Sequence, residues 1–288
     1  MSADERRAAP AAWLSLAFGV GAIVLLLQAC FGLFVPPPAA PVAEPVRVSS
    51  VEMLAPFFTA LAALEGNETR RPVRVLQIGD SHTANDSFSG RMRARLQARF
   101  GAAGRGWMPA GIPFRYYRPQ LVSVDETGWQ HLKPNDNAGV ALGLDAIVAQ
   151  SQPPDAAMTV ESTETAGFDR FAVEFLTRPN GPAFTIQVDS AAPIRVPTAA
   201  AIAATDRFDL PLDRPARGVE LRTQGRSPVL LLGWTIERQA PGVIYENHGT
   251  IGATVDLLGR MTPEAVAFEL AERRPALLNR RLRHQRGV

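Results

Sequence analysis

Val73-Arg-Val-Leu-Gln-Ile-Gly-Asp-Ser-His-Thr83 is an apolar run that breaks at Gly79 and leaves a hydroxyl, Ser81, just past its end. The pattern is that of a short strand passing through a turn into a helix. Open α/β sheets place their chemistry in the crevice outside the carboxyl ends of such strands. The helix is expected over about Ser87–Phe100. There Phe88, Met92 and Leu96 recur every four residues on one face, and Arg91, Arg93, Arg95 and Arg99 fall off it. Gly101 and Gly104 end it. A serine hydroxyl is a poor nucleophile unless a base takes its proton and donors hold the oxyanion it creates. Asp80 is placed to hydrogen-bond nearby amides and stiffen the turn that presents Ser81.

Downstream the character changes. From Ile112 to about Pro241 short β-type runs (120–124, 158–162, 171–175, 184–188, 218–222 and 229–237) alternate with Pro, Gly, Asp and Asn turns. Regular short strands without helical periodicity predict a β-sandwich. A return strand is expected at Gly242–Tyr245, followed by the loop Glu246-Asn-His-Gly-Thr-Ile-Gly-Ala253. Thr262 as N-cap and Pro263 at the first position begin a helix to Arg273, with Val266, Phe268 and Leu270 apolar and Glu264 and Glu269 turned outward. Ala276-Leu277-Leu278 opens a further buried strand. Upstream, Val51–Leu64 has helical spacing interrupted by Pro56.

The N-terminus carries an address. Trp13 to Val35 is apolar apart from Ser15 and Gln28, long enough to cross a bilayer as a helix. Arg6 and Arg7 ahead of it keep the N-terminus cytoplasmic and export the domain beyond the span. Leu27-Gln-Ala-Cys30 loosely resembles a lipobox, but the run exceeds an ordinary signal-peptide core and favours an uncleaved anchor. The expected placement is a single-pass inner-membrane anchor with the domain in the periplasm. Pro-rich residues 36–50 read as a linker.

Composition narrows the function. The net charge is +2, and 29 of the 30 basic residues are Arg, Lys133 being the exception. There is no basic stripe with interleaved aromatics, so nucleic acid is not expected as a partner. Cys30 is the lone cysteine and the four histidines have no ligand spacing, so neither a metal nor another cofactor is expected. His82 adjoins Ser81, but neighbours on a turn point apart; His248 reads as a polar loop residue and His131 as a surface residue. Trp107, Trp129 and Trp234 have sugar-stacking faces, although core packing is the expected state of each.

Ile78-Gly-Asp-Ser-His-Thr83 resembles the first motif block of the SGNH (GDSL-type) hydrolases, and Gly249-Thr-Ile-Gly252-Ala253 resembles their Gly-x-x-Gly-Ala block. The resemblance covers about residues 70–278. It is strongest to periplasmic enzymes similar to peptidoglycan O-acetylesterases, which carry a carbohydrate-module-like insert between these blocks. It implies an α/β fold: an SGNH-like three-layer sandwich with an incomplete parallel sheet, interrupted by a β-sandwich insert, after the N-terminal transmembrane helix. The implied organisation is 1–35 tip and anchor, 36–50 linker, 51–111 and 242–278 hydrolase domain, 112–241 insert, and 279–288 tail. It also implies a serine esterase removing O-acetyl groups from a cell-envelope glycan. Ser81 would be the nucleophile, with its own N–H and that of Gly252 holding the oxyanion, supported by Gly79, Asp80, His82 and Gly249. Glycine at 252 lets backbone approach a substrate with no Cβ in the way.

The family's asparagine block and its Asp-x-x-His block are absent, which implies impaired or absent activity. Asn279 lacks the glycine that would precede the family's asparagine. The string 279–288 can be encoded so that the next reading frame spells a strand ending in Gly-Thr-Asn-Glu, and it is expected to be a frameshift product. Reading the gene past codon 278 tests that. The alternative function is a non-catalytic, membrane-anchored protein that binds glycan through its β-rich insert.

Overall fold

The computed structural model describes residues 51–136, 139–152 and 155–282. The expected membrane span, its linker, Cys30 and His284 lie outside them. Among the described residues no helix is long and apolar enough to cross a membrane.

Helix α1 (Val51–Glu65) runs through Pro56 without a break. Strand β1 (Val73–Gly79) is followed by one helical turn, α2 (Ser81–Ala84), and by α3 (Ser87–Phe100). β1 is the middle of a three-stranded parallel sheet, flanked by β13 (Val243–Gly249) and β14 (Leu277–Arg281). Alternation along β1 sends Val73 and Val75 to one face, beneath Phe57, Leu61 and Leu64 of α1 and Met92 and Leu96 of α3. Leu76 and Ile78 go to the other, against Leu144 and against Val266 and Leu270 of α4 (Pro263–Arg273).

Eleven other strands form two antiparallel sheets. The first has the order β10 (Ala204–Ala216), β7 (Phe168–Thr177), β12 (Leu230–Glu237), β5 (Val148–Ser151) and β4 (Trp129–Leu132), with β2 (Gly104–Pro109) also pairing β12. The second has the order β3 (Val122–Thr127), β6 (Ala157–Ser162), β11 (Gly218–Gln224), β8 (Ala183–Val188) and β9 (Ile194–Pro197). Their inner faces share one core, in which Phe171, Val173, Phe175 and Trp234 from one sheet meet Val160, Phe184, Ile186 and Leu221 from the other. Phe175 and Phe184 touch edge to face across it, with centroids 5.4 Å apart.

The expected fold class is therefore overturned. The chain is mainly β, built on antiparallel sheets, and is not an α/β parallel-sheet sandwich. Parallel pairing needs long crossovers, as between β1, β13 and β14; the other strands pair antiparallel, and β3 and β6 among them alternate inward and outward residues. β2 belongs to the antiparallel sheet although it follows α3 directly.

Three local expectations also change. Leu277 and Leu278 do open a strand, but β14 is an edge strand, with Leu278 45% exposed. Arg93 is buried rather than turned to solvent. Its Nε donates to the Tyr245 carbonyl at 2.9 Å and its guanidinium pairs with Asp86. Glu269 is buried as well, accepting the Leu144 N–H at 2.6 Å. Thr262, as N-cap of α4, uses its hydroxyl to accept the Leu142 N–H at 2.9 Å.

Glu269 faces Arg273 on its own helix, Glu174 on β7 and His248 on β13. Burial pushes its carboxyl up from 4.5 to about 7; Arg273 opposes that and Glu174 reinforces it. A folded-state value above the unfolded one contributes stability that is complete below about pH 4.5 and is lost as pH rises through about 7. Glu269→Gln keeps an acceptor for Leu144. Its unfolding free energy, measured by denaturant titration at several pH values, is expected to be flatter than wild type across that window.

Candidate active site

The C-terminal ends of β1 and β13 stand side by side, with Gly79 in register with Gly249. Both glycines are required by packing. A Cβ at Gly79 would lie 2.1 Å from the Thr83 hydroxyl, and one at Gly249 would lie 2.2 Å from the Ala84 nitrogen. α2 thus rests directly on the two strand ends. Asp80 caps it, accepting the His82 N–H at 3.0 Å. Ser81, the first residue of α2, is exposed, and its hydroxyl makes no hydrogen bond among the described residues.

The loop after β13 is tied to the same rim. Thr250 N–H donates to the Gly79 carbonyl at 3.0 Å, and the Thr250 hydroxyl donates to the Asp145 carbonyl at 2.5 Å. Ala253 N–H closes a turn on the Thr250 carbonyl at 3.1 Å. Inside that turn Gly252 has φ of +77° with nothing within 4 Å of a Cβ position, so glycine here answers the backbone conformation and not crowding.

Beneath the rim lies a buried polar network centred on Asp86, itself at φ +57°. Its carboxylate accepts from Ser89 Oγ (2.7 Å), both terminal nitrogens of Arg93 (2.9 and 3.0 Å), Arg105 (3.2 Å), the Gln120 N–H (3.0 Å) and Asn247 Nδ2 (2.8 Å). Asn247 also donates to the Thr83 carbonyl at 3.1 Å, which holds α2 from below. Burial alone would raise the Asp86 pKa, but Arg105 and Arg93 outweigh it and hold the carboxyl well below the usual range.

The histidines divide. His82 is exposed, its Nδ1 3.3 Å from Asp80 Oδ1. His131 is not a surface residue; its side chain is 8% exposed and its Nε2 lies 2.9 Å from Glu126. His248 is not a loop residue either. It sits within β13, 1% exposed, between Asp145 (3.4 Å) and Glu246 (3.7 Å) and stacked on Trp107. Burial disfavours its charged form, yet Asp145 and Glu246 prevail and push its pKa up to about 9. Each of its ring nitrogens thus faces a buried carboxylate. The described residues therefore bring Gly79, Asp80, Ser81, His82 and Gly249 together at one rim, with the Gly252 turn beginning at the same strand end. They do not bring His131 or His248 there as a base. Among the described residues no group of three His, Cys, Asp or Glu is arranged to hold a metal ion.

Sequence reading missed Asp86, Asn247, Asp145 and Glu246, each of which reads as an ordinary polar residue in a turn or loop. Trp107 and Trp234 are buried as expected and Trp129 is half-buried, so the first two have no face free for a sugar.

The sequence matches no family model and no curated protein. The fold, however, has solved counterparts. It is similar to that of a peptidoglycan O-acetylesterase. The likeness covers 78% of this chain and 59% of that one, with a TM-score of 0.60 and 23% identity. The chain therefore spans well under two thirds of that structure's length. A family two carbohydrate esterase from Cellvibrio japonicus matches over 42% of this chain and 36% of its own, at 16% identity and a TM-score of 0.26. A family 29 carbohydrate-binding module matches over 48% and 88%, at 9% identity and a TM-score of 0.30. The last two are too remote to bear on function.

Proposed function

We propose that the chain is a serine esterase of the SGNH type that removes O-acetyl groups from a cell-envelope glycan outside the cytoplasm, and that its activity is impaired. The observation that carries the reading is the exposed Ser81 hydroxyl at the rim of β1, beside a loop that hydrogen-bonds the same strand end and turns at Gly252. Ser81 Oγ would attack the ester carbonyl, and the Ser81 and Gly252 N–H groups would hold the oxyanion. The sugar hydroxyl would leave and an acetyl-enzyme would remain for water to cleave. The fold shared with a peptidoglycan O-acetylesterase supports the acetylated-glycan substrate class.

Two histidines of the described residues support the impaired reading. His248 is committed to a buried ion cluster and His131 to Glu126, so neither takes the Ser81 proton. Where no base serves Ser81, oxyanion holding and binding still leave a residual acceleration of about 10³–10⁴ over water. Incubation with O-acetylated peptidoglycan is expected to release acetate slowly, and Ser81→Ala is expected to bring the release to the buffer background. Equal release by wild type and Ser81→Ala, or none by wild type, sinks the assignment. The competing reading, a non-catalytic protein that binds glycan through its β-rich insert, loses Trp107 and Trp234 as stacking faces because both are buried, and keeps the half-buried Trp129.

A further inference from the structure

We propose that the β-rich insert is part of the catalytic unit, because its stretch 142–146 holds the Gly252 turn in position through Thr250; the consequence for catalysis rests on the esterase reading of Ser81. The stretch leads into β5 of the first antiparallel sheet, yet it is anchored on the parallel sheet and α4. Leu142 exchanges two bonds with Thr262: its N–H donates to the hydroxyl at 2.9 Å, and its carbonyl accepts the Thr262 N–H at 2.8 Å. A Cβ at Gly143 would lie 2.1 Å from Glu269 Oε1, so the backbone passes hard against α4. Leu144 packs on Leu76 and Ile78 of β1 and donates its N–H to Glu269. The buried Asp145 carboxylate accepts the Trp107 Nε1–H, and the Trp107 ring is covered by the Arg273 guanidinium, 4.1 Å from its centre.

Two contacts pass from this anchored stretch to the turn. The Thr250 hydroxyl donates to the Asp145 carbonyl at 2.5 Å, and both residues are buried. Ala146 packs with Ala253 and Leu257 at the other end of the turn. Ala146 itself stands at φ +50°, a conformation that a Cβ disfavours. Such outliers persist only where the surroundings over-determine them. Here the Ala146 N–H closes on the Gly143 carbonyl at 3.0 Å, while its methyl is buried against the turn. Because the Thr250 N–H is held by the Gly79 carbonyl, the turn is fixed by β1 on one side and by the insert on the other. Donors to an oxyanion are effective when they are preorganised. Thr250 and Asp145 are therefore positioning residues that act through the Gly252 N–H.

The test uses the full chain with two readouts, hydrolysis of p-nitrophenyl acetate and amide hydrogen exchange. Thr250→Val keeps the side-chain shape and removes the hydroxyl. It is expected to lower kcat by about 10²-fold, the cost of a group displaced by about 1 Å, at unchanged KM. It is also expected to speed exchange of the Ala253 amide, which bonds the Thr250 carbonyl. Thr250→Ser is expected to restore both. Thr223→Val removes a buried hydroxyl that donates to the Ala156 carbonyl at 3.3 Å inside the sandwich. That control is expected to lower the melting temperature and leave kcat and Ala253 exchange as in wild type. A wild-type kcat in Thr250→Val, an equal loss in Thr223→Val, or unchanged Ala253 exchange overturns the proposal. Equal hydrolysis by wild type and Ser81→Ala removes the esterase reading instead; faster Ala253 exchange in Thr250→Val would then still establish that the insert holds the turn.

Discussion

Asp86→Ala is expected to destabilise the protein by about 3–5 kcal/mol, the cost of breaking a buried ion pair from one side. The reason is specific to this carboxylate. It is the shared acceptor for Arg93 and Arg105, both 1% exposed, and for Ser89, Asn247 and the Gln120 N–H. Alanine would strand two guanidinium groups with no counter-charge and leave several donors unsatisfied. It would also place a residue with no local hydrogen bond at a positive φ. In a protein of this size each kcal/mol moves the melting temperature by about 2–4 °C, so a fall on the order of 10 °C is expected. The contribution has a pH signature. Because the folded-state pKa is depressed, the stability is complete above the ordinary value of 3.8 and is lost as pH falls below it. Thermal unfolding of wild type and Asp86→Ala at pH 7 provides the check, and a change of less than about 2 °C contradicts the account.

Gly249→Ala is expected to act on both the fold and the proposed chemistry. The added methyl would approach the Ala84 nitrogen at 2.2 Å and the Ala84 Cα at 2.6 Å, and these are backbone atoms with no rotamer to yield. Either α2 or the end of β13 must move. Overpacking of this kind costs about 1–3 kcal/mol. The movement falls between Ser81 and the turn that holds Gly252, so the proposed oxyanion donor is displaced as well, worth about 10²–10³ in turnover. Acetate release should therefore drop far more than the melting temperature predicts. A variant whose release falls only in proportion to its unfolded fraction would show that the loop takes no part in the reaction.

Much of the local structure is legible directly. The helix expected at Ser87–Phe100 spans those residues, and the helix after Thr262 runs from Pro263 to Arg273. Each short run read as β between 120 and 237 overlaps a strand, and the two antiparallel sheets close on one core as a sandwich. These features are written in periodicity, and periodicity needs only near neighbours. Charged residues are where reading by face fails. A pattern alone puts Arg93 and Glu269 outward because isolated charges belong in water. It puts His248 in a loop because a lone histidine between Asn247 and Gly249 offers no apolar pattern.

The sequence by itself determined the strand that ends at Gly79, the serine beyond it, the helix after that and the strand-turn rhythm of the long middle segment. Tertiary structure decided how the strands are shared between a three-stranded parallel sheet and two antiparallel ones, and which polar groups are buried. The partners explain why. Arg93 meets a carbonyl 152 residues away, Thr250 one 105 residues away and Glu269 an amide 125 residues away. A charge enters a protein interior only when its counter-charge or hydrogen-bond partner is delivered to the same place, and here the delivery is made by chain crossings that no local pattern records.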